Sequence, residues 1–401
     1  MRIAFATAQS VTGSTNVGRI GPLAAEFTQQ GQTCCILVLG SAGAVKDKNI
    51  HQVGTLPYQR TVAGKVRRRG LSLLLNMLAT ALRTAWALGR LRPEVVVISK
   101  PLPANTLGVW LYSLFAAKTK IILDADDFEL TANQLSSIAQ RAVIHWSERR
   151  AAKLASIIVV ASPFLSDHFK QLTGNTKPVK IIPTGIAADI IKTTGDAPGA
   201  PHAPDTRARR VGVKERQDPS STLAYLGSIS ISSGHRVDVL PDILERVQAD
   251  TPMKLVIAGD GDDVTKIKNE FERRGLSQHV IWFGRFSPAD IHRLVPPGTI
   301  IIDPVDDSIS NRAKSSFRVM LAAALGVPVV TSNIGIRPRL IPTALHQRFF
   351  ADPANPGSYA EKIVGLARQP LTPDEQRRLQ EHAANYTWAK LGAEYYEILT
   401  A

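Results

Sequence analysis

Residues 300–335 read IIIDPVDDSISNRAKSSFRVMLAAALGVPVVTSNIG and hold a complete strand–helix–strand unit. Three isoleucines end at Asp303-Pro304, where a polar loop begins. An apolar helical stretch then runs to Leu325 and stops at Gly326, and Val327-Pro328 leads into Val329–Thr331. A continuous apolar run marks a strand buried on both faces of a parallel sheet, and two such strands need a crossover of helical length between them.

The same pattern extends through the chain in both directions. Toward the C-terminal half, short β-branched runs fall at Leu223–Leu226, Leu255–Ala258 and Val280–Trp282. Nearer the start they fall at Ile3–Ala6, Cys35–Val38, Val95–Ser99, Ile121–Asp124, Ile157–Ala161 and Val179–Ile182. Longer amphipathic segments separate them, so the expected class is α/β, with two Rossmann-like, doubly wound parallel sheets facing a cleft. The pattern breaks once, in a Pro-, Gly-, Ala- and Arg-rich stretch that includes GDAPGAPHAPDTRARR. The expected division is therefore an N-terminal domain over 1–185, a linker over 186–220 and a C-terminal domain over 221–385. A last helix over 386–401, with Trp388, Leu391, Tyr395 and Leu399 on one face, is free to pack back on the N-terminal domain. Thr372-Pro373-Asp374-Glu375 has the form of a capping box with proline at the first helical position.

The length of 401 residues suits two domains, and 44% hydrophobic against 20% charged residues allows a large core. A net charge of +14 implies an anionic partner: nucleic acid, acidic lipid or a phosphorylated substrate. Nucleic acid is the weakest of these, since aromatics make up only 6% and no nucleic-acid-binding motif is present. Cys34 and Cys35 are adjacent, which disfavours a disulfide, and neither has metal-ligand spacing. They read as reduced core residues of a cytoplasmic protein. The start MRIAFATAQS reads as a strand and not as a signal peptide, and no unbroken apolar run of spanning length is expected to cross a bilayer.

Four segments carry possible chemistry. In TGSTNVGRIGP, Gly13, Ser14, Asn16 and Gly18 form a glycine-rich turn before a helix, able to approach a phosphate or acceptor, although it is not the dinucleotide fingerprint. In ILDADDFEL, Asp124, Asp126, Asp127 and Glu129 lie at the carboxyl end of a strand, where ligands of open α/β sheets bind. Asp126 and Asp127 are the candidate catalytic pair; the plain alternative is helix capping. In AGDGDD, Gly259, Asp260 and Gly261 follow a strand, either as a simple turn or as a backbone cradle for a nucleotide. Finally, Lys314 and Arg318 stand four apart and are expected on one face at the start of a helix, where cations oppose the macrodipole unless an anion is bound. A diphosphate would satisfy both.

At this point the sequence resembles the family-four GT-B glycosyltransferases, whose donor region often reads Lys-Ser-Pro-x-Lys-x-x-Glu-x-x-Ala-x-Gly-x-Pro-Val-Val. Lys314, Ser315, Arg318, Ala324, Gly326, Pro328, Val329 and Val330 match or substitute conservatively. DADDFEL, ASPFLSDHF, IIPTGIAAD, YLGSISISSGHRVDVL and YTWAKLGAEYYEIL resemble further landmarks in the same order, so the likeness covers nearly the whole chain. It implies transfer of a sugar from a nucleotide-sugar co-substrate to a lipid-linked or polysaccharide acceptor, with retention, no cofactor and no metal. It puts the donor on the C-terminal domain, near Gly227, Ser228, Arg236, Gly259, Asp260, Lys314 and Arg318. The departures matter: the family's two glutamates fall on Ala313 and Leu321, and its arginine after the first C-domain glycine falls on Ser228. These losses leave open a non-catalytic homologue that acts as a membrane-surface binding or scaffold subunit.

Between Lys48 and Arg92 there is no acidic residue, while Arg60, Lys65, Arg67, Arg68, Arg69, Arg83, Arg90 and Arg92 all lie there. GLSLLLNMLATALRTAWALGRL then reads as one long helix. The expectation is a peripheral contact with an anionic membrane at the inner face of the plasma membrane. The alternative is an ordinary domain helix with its apolar face in the core. No oligomeric state is specified.

Overall fold

The computed structural model describes residues 1–40, 47–61, 64–67, 70–133, 135, 137–192 and 222–400. The first domain contains β1 (Arg2–Thr7), β2 (Thr33–Leu39), β3 (Ile50–Gly54), β4 (Tyr58–Thr61), β5 (Gly64–Arg67), β6 (Val95–Ser99), β7 (Lys120–Ala125), β8 (Ile157–Val160) and β9 (Val179–Ile181). Its helices are α1 (Gly21–Gln29), α2 (Gly70–Leu91), α3 (Pro103–Ser113), α4 (Glu129–Ala132), α5 (Ile138–Leu154) and α6 (Pro163–Thr173), and α7 (Ala188–Lys192), which follows in the chain, packs on the core of the second domain. The second domain contains β10 (Thr222–Leu226), β11 (Lys254–Ala258), β12 (Val280–Gly284), β13 (Ile300–Ile302) and β14 (Val329–Val330). Its helices are α8 (Leu240–Asp250), α9 (Val264–Arg273), α10 (Ile291–Leu294), α11 (Ile309–Ala313), α12 (Phe317–Leu325), α13 (His346–Phe349), α14 (Pro356–Arg368), α15 (Pro373–Ala383) and α16 (Trp388–Thr400).

The sheets are doubly wound. The first has seven strands in the order β3-β2-β1-β6-β7-β8-β9, and the second has five in the order β12-β11-β10-β13-β14. All pairings within the two sheets are parallel. Strand order reverses between β1 and β6 and between β10 and β13, so each sheet opens a crevice at the carboxyl ends of those strands. The eleven strands read from apolar runs are present with shifts of a residue or two. β3 and the antiparallel hairpin β4–β5 were not anticipated. β3 is the edge strand, and His51 and Gln52 interrupt its apolar pattern.

Gly326 ends α12 with φ +67, a left-handed conformation that glycine takes without strain. The capping box at Thr372 is formed, with Glu375 N donating to Thr372 Oγ1 and Thr372 N to Glu375 Oε2. α16 packs on α1 of the first domain, and Phe27 and Tyr395 bring their ring centroids to 5.9 Å. Ile186 and Thr387 pair in a short parallel bridge, with Ile186 N donating to Tyr386 O and Trp388 N to Ile186 O. The chain thus leaves the first domain and returns to it at one place. From residue 193 to 220 the expected linker lies outside the described residues, as do Arg68, Arg69 and the side chains of Lys65 and Arg67.

Candidate active site

The two crevices face each other, and charged side chains gather between them. On the first domain, β6 ends at Lys100, which adopts φ +63, rare for a residue with a side chain. Asn105 holds this turn in place: its Nδ2 donates to Ala6 O, Ser99 O and Lys100 O at 3.1, 3.0 and 2.8 Å. The strained turn carries Lys100 Nζ into a carboxylate cluster from the end of β7. Asp127 Oδ2 lies at 2.5 Å, Asp126 Oδ1 at 3.3 Å and Glu129 Oε1 at 3.5 Å. Asp126 Oδ2 also accepts from Thr15 Oγ1 at 2.8 Å, which joins the glycine-rich turn after β1 to the cluster.

Three carboxyls around one ammonium cannot all ionise freely. Burial alone would lower the Lys100 ammonium, but Asp126, Asp127 and Glu129 outweigh it and hold the group well above its usual value. Burial raises Asp126, with Lys100 opposing and Asp127 adding to the rise. Burial, together with Asp127 and Asp126, lifts Glu129 to about 7 against the pull of Lys100. Asp127 goes the other way: burial is overcome by Lys100, by Lys314 and His235 of the second domain, and by its bond to Lys100. Asp126 Oδ1 and Glu129 Oε1 are buried and accept no hydrogen bond among the described residues.

On the second domain, Lys314 and His235 lie near enough to Asp127 for their electrostatics to favour its charged form. Lys314 Nζ donates to Ser233 O, and burial lowers its ammonium while Asp127 raises it. Burial, Arg318 and Lys314 push His235 down to about 3, so its ring is neutral near pH 7. The domains also touch directly. Thr184 N donates to Ser315 Oγ at 3.1 Å, and α11 packs on α4 and α6.

Several expected site residues serve other ends. Lys314 and Arg318 do not share a helical face. Lys314 is extended at the end of α11, and α12 begins afresh at Phe317 with Ser316 as its cap. Arg318 is buried and donates to Asp303 Oδ1 at 2.7 Å and to Leu226 O at 3.2 Å, with its guanidinium 4.6 Å from the Tyr225 ring centroid. Arg337 grips the other oxygen of Asp303 at 2.8 Å. Asp124 is also withdrawn from the cluster, fully buried in a two-bond clasp with Arg19 at 2.8 and 3.0 Å. Asn16 is buried and donates to Thr7 Oγ1 and Ser10 O, which shapes the turn. A Cβ on Gly13 would meet Gln9 Oε1 at 2.5 Å, while Gly18 has open space and Ser14 is exposed.

The glycines after β11 are explained by close packing. A Cβ on Gly259, at φ +152, would stand 1.8 Å from Gly227 O, and one on Gly261 would stand 2.1 Å from Ile229 O. The loop after β10 therefore fills the Cβ side of Gly259, and a residue with a side chain cannot stand there. Asp260 accepts from Arg285 on the surface. Arg236 is paired with Asp238 at 3.1 Å and reaches Asp306 at 3.6 Å. Gly227 and Ser228 border the cleft-side loop, and Ser228 is exposed. Ala313 is fully buried with Ala161, Leu165 and Phe169 of the first domain, and Leu321 is fully buried in the second core. The resemblance places the family's clamp lysine near His235 and Arg236; Lys100, Thr15 and Arg337 were not singled out from sequence, and only Lys100, next to Pro101 at a strand end, gave a local signal.

Residues 220–369 match the family model described as Glycosyl transferases group 1. The match covers the greater part of the C-terminal domain. The whole chain superposes on the Anabaena protein HepE solved with UDP, at TM-score 0.68 and 14% identity over 100% of both chains. It superposes on a glycosyltransferase from Rickettsia africae at TM-score 0.70 and 15% identity, covering 100% of this chain and 97% of that one. For sucrose-phosphate synthase from Thermosynechococcus elongatus the values are 0.70 and 13%, with 100% and 98% covered. At these identities the likeness establishes the fold, which is the two-domain GT-B arrangement. No curated protein matches the sequence.

Proposed function

We propose that the protein transfers a glycosyl group from a nucleotide sugar to a hydroxyl of a lipid-linked or polysaccharide precursor, with retention and without a resident metal. The observation that carries this reading is the buried cluster of Lys100 with Asp126, Asp127 and Glu129 at the carboxyl end of β7, set where α4 packs on α11 of the stretch that matches the group 1 model. The diphosphate of the donor would lie against Lys314 and the loop from Gly227 to Arg236. Fixed cations and N–H groups would meet the charge that grows on the departing diphosphate. The acceptor hydroxyl would donate to Asp126 Oδ1 or Glu129 Oε1, which face the Lys100 ammonium at 3.3 and 3.5 Å and accept no hydrogen bond among the described residues. The bond from the sugar to the diphosphate breaks as the bond to the acceptor oxygen forms, the hydroxyl proton passes to the carboxylate that accepts from it, and the diphosphate leaves as the anion. Free Cys34 and Cys35 agree with a cytoplasmic setting.

HepE is solved with UDP and with UDP-glucose, which supports a uridine diphosphate sugar as the first donor to test. The experiment is a thermal-shift panel of UDP, ADP and GDP, followed by UDP release from UDP-sugars. A ligand of the native state alone raises the midpoint. A rise with one nucleotide, lost in Lys314→Ala, supports the site, and no rise with any nucleotide overturns it. A second reading is favoured by Ala313 and Leu321, which are buried and apolar where the resembled family carries glutamates. Under it, the nucleotide binds and no sugar is released from any donor.

A further inference from the structure

Helix α2 shows its large apolar residues to the outside. Its small face holds Thr80, Ala81 and Thr84, buried with Leu88 against the first domain. The fit is close: a Cβ on Gly108 of α3 would stand 2.6 Å from Thr84 Cβ, and one on Gly54 would stand 2.3 Å from Thr80 Oγ1. With that face committed, Leu71, Leu74, Leu75, Leu78, Leu82 and Trp86 point outward, each between 42% and 69% exposed. A contiguous apolar stripe of this size on a protein surface marks an interaction site. α3 and α5 pack alongside on the same side of the sheet, with Leu88, Val109 and Ala151 in one core. Just beyond α3, Phe115 is 92% exposed, and on α5 Ile138 is 87% exposed.

Beside the stripe, a groove of about 720 Å³ lies between β3 and the C-terminal half of α2. His51, Gln52, Arg83, Trp86 and Arg90 line it, and the Arg90 guanidinium lies 4.9 Å from the Trp86 ring centroid. The groove is separate from the residues of the cleft. The surrounding sequence has no Asp or Glu from Lys48 to Pro93.

We propose that this face docks on a bilayer of anionic phospholipid, with the leucine stripe at the acyl boundary and Arg83 and Arg90 against headgroup phosphates in the groove. An apolar stripe bordered by like positive charge fits such an interface, where both components contribute. A second copy of the chain would bring the same charges against themselves. α2 is long and apolar enough by composition to cross a membrane, contrary to the expectation from its interrupted apolar runs, but its buried face keeps it on the domain. The proposal is independent of sugar transfer, because its readout is binding alone.

The test is co-sedimentation of the full chain with vesicles of phosphatidylcholine, with and without phosphatidylglycerol, at low and high salt. The wild type sediments with the mixed vesicles, and less so at high salt, because exposed charges are screened. Leu75→Gln with Leu82→Gln weakens binding at least tenfold. Arg83→Gln with Arg90→Gln removes the preference for phosphatidylglycerol, a loss of roughly tenfold or more for two basic residues at the surface. All four side chains are exposed, so thermal midpoints stay at the wild-type value and show that the variants fold. Wild-type protein that ignores mixed vesicles overturns the proposal. So does equal binding to both vesicle types, or a solution dimer that the leucine variants dissolve while vesicles are not bound.

Discussion

Arg318 donates Nε–H to Asp303 Oδ1 at 2.7 Å, in a pair whose side chains are 8% and 0% exposed. The bond makes Arg318 first a structural residue of the second domain. Asp303 also serves Arg337, Ser316 and Thr331, so one carboxylate ties β13 to α12 and to the segment after β14. Burial alone would raise Asp303, but Arg337 and Arg318 hold it well below the usual carboxylate range. Asp303→Asn should then cost about 3–5 kcal/mol, the usual penalty for leaving a buried charge unpaired. Urea unfolding measures it, and a loss below about 1 kcal/mol would contradict this assignment.

Lys314 should behave differently. Its ammonium is lowered by burial and, among the described residues of its own domain, is bonded only to Ser233 O, so charge there is held at a cost. Lys314→Ala should leave unfolding stability nearly unchanged. Nucleoside diphosphate affinity should fall by about 1–3 kcal/mol, the range for one charge-assisted contact. Titration calorimetry beside urea unfolding separates the two effects. Unchanged affinity would remove Lys314 from the donor site.

Glu129 predicts a pH dependence. Its carboxyl moves from 4.5 to about 7 on folding, mainly through burial, with Lys100 opposing and Asp127 and Asp126 adding. Between those values the native state keeps a proton that the unfolded chain has lost, so stability falls as pH rises through the window. Glu129→Gln keeps an oxygen to accept from Asn133 and removes the titration. The variant should gain on the wild type from pH 4.5 to 7, by on the order of 1–3 kcal/mol. His235, held down to about 3 by burial, Arg318 and Lys314, has the opposite slope, since its stability is lost as pH falls below 6.5. That slope is common to both proteins and cancels in the difference. A difference that does not change with pH would remove the raised Glu129 from the account.

Legibility followed the range of the interactions. The buried strands are continuous apolar runs because both faces of each are covered, which made them readable one by one. Edge strand β3 has only one strand neighbour and mixed residues, so its pattern was too weak to read. The Arg19–Asp124 clasp joins residues 105 apart, and no local pattern announces it. Lys100 enters the cluster through a left-handed turn that Asn105 stabilises, a backbone state that composition does not reveal. Lys314 and Arg318 were misplaced for a local reason. Ser316 caps a new helix, and the residues before it need not be helical. The four-residue spacing was therefore no guide to a shared face.

The last prediction concerns Asp127, which alone in its cluster is pulled below the usual range and faces both domains. Asp127→Asn keeps the shape and removes one charge. Lys100 retains Asp126 at 3.3 Å and Glu129 at 3.5 Å, so it is not left unpaired. Folding stability should change by no more than about 1–2 kcal/mol, because Lys100 keeps two carboxyl partners and Lys314, whose ammonium is already lowered by burial, keeps its bond to Ser233 O. Loss of Asp127 also removes a charge that disfavours ionisation of Asp126 and Glu129, so both should titrate lower. Sugar transfer should fall by about 100-fold if the carboxylate orients the acceptor or balances Lys314, in the range seen for positioned acid–base groups. Nucleotide affinity should hold or rise, since Lys314 would no longer share its charge with Asp127. Single-turnover transfer and nucleotide titration on the same preparation measure the two effects. Transfer at the wild-type rate per folded molecule would make Asp127 a partner of Lys100 and nothing more.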